Sequence, residues 1–378
     1  MNNYTTLGKI AAYSSKRIPV NTVTIDNYVT VDNLLPNKQG VATASGMPSV
    51  TGYVPGYDTG NILVGNIRPY LKKIWFANRS GGASADVLVL SVKDGYSSRY
   101  VYYSMFLDDF FSHMMRGKKG TKMPRGDKRQ VLEYAVAIHE LPTQQKIAAV
   151  LSSLDEKIEL NNRINAELEA MAKTLYDYWF VQKAKTSKWK TDKLGNFIRI
   201  NERSITKDYP FSEIEYIDIS SVSGGHLTGT TKYSLKDSPS RASRLVKHGD
   251  TIWSTVRPNR KSYLFICNPK DNLVISTGFV VLTPEKITPS FLYFFTTSEQ
   301  FIKYLVSNAE GSAYPAVSAD RFAEINFSVP PESELVKFEN VVGPMLAKIA
   351  QNKLESQTLA HLRDWLLPML MNGQVTVK

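Results

Sequence analysis

Between residues 116 and 129 seven basic side chains, Arg116, Lys118, Lys119, Lys122, Arg125, Lys128 and Arg129, stand against one acid, Asp127, with glycines at 117, 120 and 126. A second concentration gathers Arg241, Arg244, Lys247, Arg257, Arg260 and Lys261 against Asp250. Such residues have two uses on a polyanion: neutralising phosphates gives affinity, and bidentate contact to guanine discriminates bases by about 1–3 kcal/mol per pair. The glycines would let backbone approach a phosphate closely. Arg68, Lys72 and Lys73 near an Ile-Arg-Pro turn, with Thr121 and Ser312 in glycine-containing loops, complete the candidate DNA contacts. The plainer reading of the same residues is a solvated basic surface with no polyanionic partner.

A search for bond-making machinery comes back nearly empty. Residues 117–122 lack the Gly-Lys-Ser/Thr ending of a phosphate-binding loop, and no glycine-rich dinucleotide fingerprint occurs. The histidines at 113, 139, 226, 248 and 361 include no pair at metal-binding spacing. The acidic pair Asp108 and Asp109 fits surface carboxylates better than an acid/base couple. Cys267, the only cysteine, excludes a disulfide framework and fits a buried thiol in a reducing compartment. The first residues lack the apolar core of a signal peptide, and no apolar run reaches the roughly 18 residues of a membrane span, so a cytoplasmic protein without membrane contact is expected.

Net charge is +11, and its placement is informative. Lys and Arg number 17 against 10 acids in residues 1–141 and 19 against 14 in 184–329, but 5 against 6 in 142–183 and 5 against 5 in 330–378. The excess belongs to two blocks, and the segments after them are neutral. In residues 141–181 apolar side chains recur at Ile147, Leu151, Leu154, Ile158, Leu168, Met171 and Leu175, the spacing of one helical stripe. A helix of about 38 residues would be roughly 57 Å long. A second segment, 331–373, supplies its partner. A shift of 191 positions lays Ile158 on Ile349, Asn161 on Asn352, Leu168 on Leu359, Met171 on Leu362 and Leu175 on Leu366, with Leu346 on the same stripe. Asn161 and Asn352 fall on its apolar side, where a polar residue costs stability but can pin register; solvation at the stripe's edge is the plainer alternative.

The charged blocks repeat each other too. Leu7-Gly8 returns as Leu194-Gly195, Ile67-Arg68-Pro69 as Val256-Arg257-Pro258, and SADVLVL at 84–90 as STGFVVL at 276–282. Gly120 with Pro124 is echoed by Gly311 with Pro315. Within the first block, strands are expected at 22–25, 28–31, 62–64, 71–76, 87–92 and 134–138, with an aromatic helix over 99–115 matched by 290–306. Two units with a common scaffold and divergent surfaces suggest one mode of binding applied to two targets.

With these markers in place the chain resembles, over essentially its whole length, the specificity subunits of Type I restriction-modification systems. The central segment 141–180 and the distal 346–373 carry the likeness most specifically. The resemblance implies an α+β fold: two pseudo-repeated mixed α/β target-recognition domains (1–141 and 184–329) separated by two long antiparallel helices (142–183 and 330–378). It implies a non-catalytic subunit that reads a split, asymmetric site on double-stranded DNA. Two methyltransferase subunits would dock on the helices and restriction/translocase subunits would join, with S-adenosylmethionine held by the methyltransferase and no cofactor on this chain. The loops at Gly120-Thr121 and Gly311-Ser312 would lie beside the DNA-facing surface. Two other classes compete: a DNA-cleaving or modifying enzyme with an unrecognised active site, and a protein-only coiled-coil scaffold.

Overall fold

A computed structural model describes residues 3–118, 120, 122–312 and 314–377. The chain divides into two compact units, Met1–Glu159 with Ser356–Lys378, and Leu160–Glu355. Both long helices contribute residues to both units.

Each unit is built on an antiparallel four-stranded sheet buried on both faces. In the first the order is Ala11–Tyr13, Val87–Val92, Ile62–Gly65, Ile74–Phe76. In the second it is Ile198–Ile200, Phe279–Pro284, Thr251–Ser254, Tyr263–Phe265. Their nearly continuous apolar runs follow from this double burial, because alternate side chains must serve two cores. Ile62, Val64, Leu88 and Leu90 pack on the helices, while Leu63, Val87 and Val89 join Trp75 and Tyr57 on the other face. The second unit repeats the division, with Trp253, Val280 and Leu282 against helices and Ile252, Phe279 and Val281 on the opposite side.

A second sheet explains how the repeats diverge. Its middle strand, Gly81–Ala83 or Leu273–Ser276, has one parallel neighbour (Tyr28–Val29 or Glu213–Ile217) and one antiparallel neighbour (Tyr53–Tyr57 or Ala242–Leu245). The fourth strand joins opposite edges: Arg17–Pro19 pairs with the antiparallel neighbour, Thr231–Ser234 with the parallel one. The expected strand at 22–25 is absent. Val20–Thr22 forms a 3-10 turn, and the Asn27 side chain accepts from the Thr24 N–H at 2.7 Å, a local bond that competes with a ladder. In 71–76 only Ile74–Phe76 is strand.

The expected aromatic helices are each two helices. Ser98–Phe106 and Asp108–Arg116 are broken by Leu107 in extended conformation, and Pro289–Thr296 and Glu299–Ser307 by a short linker whose Ser298 hydroxyl accepts from the Phe301 N–H. The break lets both halves turn aromatic faces inward, with Phe106, Phe110, Phe111, Phe291 and Phe301 essentially inaccessible.

The first long helix runs Leu141–Tyr176, continues as a π-helical turn Asp177–Gln182 and ends with Lys183–Thr186; the second spans Glu332–Met371. In the first unit Ile147, Ala148 and Leu151 share a core with Leu367, Leu370 and Met371, and Arg363 meets Asp155 at 2.6 Å. In the second unit the helices are antiparallel: Asn161 bonds Glu355, Asn165 bonds Asn352, and Lys183 pairs with Glu334. Asn161 and Asn352, each 1% exposed, are core residues and not solvated edge positions. The stripe needs one correction. Met171 and Leu362 are 53% and 41% exposed, because the buried face passes through Ala172, Tyr176 and Phe180 on one helix and through Leu367 and Leu370 on the other. Leu154, Ile158, Leu168, Leu175, Leu359 and Leu366 are half-buried, and Leu346 and Ile349 are buried.

Candidate nucleic-acid interface

In each unit the central strand of the first sheet runs into a tight basic turn. After Ile62–Gly65, Arg68 enters the left-handed region (φ 51, ψ 63), Pro69–Leu71 forms a single 3-10 turn, and Lys72 leaves it left-handed again (φ 52). After Thr251–Ser254, Arg257 (φ 48, ψ 63), Pro258–Arg260 and Lys261 (φ 55) do the same. The proline presets the turn, and the strand's return is closed by Gly65 N–H to the Lys73 carbonyl in one copy and Ser254 N–H to the Ser262 carbonyl in the other.

The glycine loops named above are tied to these turns. Arg68 N–H donates to the Pro124 carbonyl at 2.8 Å and Arg257 N–H to that of Pro315 at 2.7 Å. Single bridges join Ile67 to Arg125 and Val256 to Ala316. Gly120 and Gly311 have φ of 86° and 96°, a conformation that side-chain-bearing residues rarely hold. Gly117 and Gly126 also leave room for neighbouring side chains: a Cβ on Gly117 would fall on the Gln130 amide, and one on Gly126 would press on Asn66 and Met114.

Arg68, Arg116, Lys118, Lys122, Lys128 and Arg129 are exposed in the first unit. Arg125 is exposed but paired with Asp86 at 3.2 Å. Lys128 stands over the Tyr13 ring, at the start of a helix capped by Asp127. Lys119 and Thr121 lie outside the described residues. Two expected contacts are otherwise engaged. Lys73 is buried, donates to the Val31 carbonyl, and has its pKa pulled down by desolvation. Lys72 and Lys38 both hold Asp108, at 2.7 and 2.9 Å, and the Lys72 hydrogen bond is the main reason that carboxyl titrates below its ordinary range. In the second unit Arg241, Arg260, Lys261 and Ser312 are exposed and Arg257 is half-buried. Arg244 is half-buried in the strand Ala242–Leu245, with its Nε buried and without a partner among the described residues, and burial lowers its pKa.

Sequence reasoning missed Tyr314. Its ring is 63% exposed and carries the Arg257 guanidinium 4.3 Å from its centre, a cation–π contact. The signal was an aromatic where the first repeat has Met123. The Cys267 thiol is half-buried and pushed up in pKa by burial, so it is a poor nucleophile. Among the described residues no group of three or more His, Cys, Asp or Glu could hold a metal, and no helix is long and apolar enough to cross a membrane.

A duplicated α+β unit, with the same basic turn at the same place in each copy and a long helix after each, defines a two-repeat recognition protein. The chain belongs to the family described as the Type I restriction modification DNA specificity domain, whose model matches residues 3–170 and again 186–359. It is 28% identical over 181 residues to the Type I restriction enzyme HindI specificity subunit of Haemophilus influenzae, an alignment covering 47% of this chain and 39% of that protein. The MjaIX specificity subunit of Methanocaldococcus jannaschii is 22% identical over 315 residues, 76% of this chain and 71% of the relative. A crystal structure of a Type I restriction-modification S subunit from M. genitalium shares the fold, with a TM-score of 0.60 at 17% identity over 98% of this chain and 96% of that one.

Proposed function

We propose that this chain is the sequence-reading subunit of a Type I restriction-modification complex in the cytoplasm. Residues 1–141 and 184–329 are recognition domains that each read one half of a bipartite, asymmetric site on double-stranded DNA; 142–183 and 330–378 are the spacer helices. The observation that carries the reading is the recurrence of one basic turn, tied to one glycine loop, in both family repeats. The chain supplies geometry, while transfer chemistry and S-adenosylmethionine belong to two methyltransferase subunits, with restriction/translocase subunits completing the assembly. Met171 and Leu362, related by the 191-residue shift and both exposed, fit docking of two copies of one partner.

Mapping methylated positions in cells with and without the chain tests the reading. A bipartite motif should disappear on deletion; an unchanged methylation map would refute it. Purified chain that cleaves or methylates DNA alone would establish the enzyme reading instead, and weak, salt-insensitive DNA association of the assembly would favour the protein-only scaffold.

A further inference from the structure

Among the described residues eight non-glycine positions have positive φ, and four of them are Arg68, Lys72, Arg257 and Lys261. A left-handed backbone penalises any residue with a Cβ, and glycine would make the same turn without that penalty. Both copies nevertheless place an arginine there, in globules whose surfaces otherwise diverge. Strain retained twice at one site marks a side chain whose position matters more than the ease of the turn.

The second copy shows what the position achieves. Its main chain is held at Arg257 N–H by Pro315, and its guanidinium is steadied on the Tyr314 face. Stacking fixes the plane of an arginine. A phosphate can be neutralised by a mobile lysine, and exposed lysines are already present; a planar, oriented fork suits a planar pair of acceptors. Guanine presents such a pair, O6 and N7, in the major groove.

Resting on the DNA-reading function above, we propose that Arg68 and Arg257 are the equivalent base-reading residues of the two units, each placing its guanidinium against a guanine edge. Tyr314 is a positioning residue for Arg257. Lys261 and Arg260, exposed beside it, supply phosphate contacts that orient the turn.

The test uses the full-length chain assembled with its methyltransferase partners, reading the methylated motif and selecting bound sequences from random DNA. Arg257→Lys keeps the charge and removes the fork; it should reduce preference at one position of one half-site by about 5- to 150-fold and leave the other half-site intact. Arg68→Lys should do the converse. Arg257→Gly should lose the same preference while unfolding at a temperature no lower than the parent, because glycine adopts φ 48 freely. Tyr314→Phe should keep the preference and Tyr314→Ala relax it. Uniform weakening on all sequences with the motif intact would make these arginines phosphate contacts and overturn the assignment, as would no change. A parent complex that selects no motif would remove the underlying function itself, an outcome distinct from a parent motif indifferent to both arginines.

Discussion

Asn352 donates from its side-chain amide to the side-chain Oδ1 of Asn165 at 2.9 Å, and both side chains are buried in the helical pair. Removing one partner strands the other, which costs more than the bond itself contributes. Asn352→Ala should therefore destabilise by about 1–3 kcal/mol, whereas Asn165→Leu with Asn352→Leu should lie closer to the parent. Urea denaturation checks both, and a single variant as stable as the parent would refute it. Asp250 makes a second residue-scale prediction. It is fully buried, accepts from the Thr283 hydroxyl and the Lys247 N–H, and lost hydration raises its pKa. The folded form then binds the proton more tightly than the unfolded chain. The stabilising contribution is fully present below the unfolded value, about 4, and is lost as pH rises through the raised folded value. Across that window the stability of the parent should fall relative to Asp250→Asn; parallel pH profiles would contradict the assignment.

At the scale of elements, the π-helical turn Asp177–Gln182 carries the first long helix through an aromatic cluster. Phe180 lies 4.8 Å from Phe291 and 5.0 Å from Phe338, ring centre to ring centre, while Tyr176 and Trp179 close on Phe338 from the same helix. Phe338, fully buried, is the aromatic residue that the second helix contributes to that cluster, beside Leu335 and Val342. Phe338→Ala should cost about 3–5 kcal/mol, read as a lowered denaturation midpoint, because a cavity at a node of rings collapses poorly. Periodicity located both long helices but placed Met171 and Leu362 on the buried stripe. A long helix whose inward face drifts with 3.6-residue geometry spreads its apolar residues over more than one face, so spacing alone does not say which edge faces a partner.

For the whole molecule, the two blocks of positive charge and the neutral helices lead to predictions about DNA. Replacing Arg116, Lys118 and Lys122 together by alanine should weaken binding on every sequence and flatten the slope of log affinity against log salt by about 0.9 for each phosphate left without its cation. A sequence-dependent weakening would assign them to base reading instead. The boundary between the two units falls at Glu159 and Leu160. Inserting four residues into the first helix there should change the length of the unread gap in the methylated motif while both half-sites persist; altered half-sites with an unchanged gap would contradict the spacer role.

The duplication, the long helices, the Ile-Arg-Pro turn and the basic loop were all legible in residue types and spacing, since each depends on local rules: apolar period, proline, glycine and charge. Which cations are engaged was not. Lys72 and Lys73 are adjacent and chemically alike, yet one holds Asp108 and the other is buried under Val31, because neighbours distant in sequence decide each lysine's surroundings. The same holds for Tyr314, which becomes a platform only once the bond from Arg257 to Pro315 brings the two loops together. The left-handed backbone of the four basic turn residues likewise follows from the ladder and loop bonds that close around them, and such bonds are made only when the chain has folded.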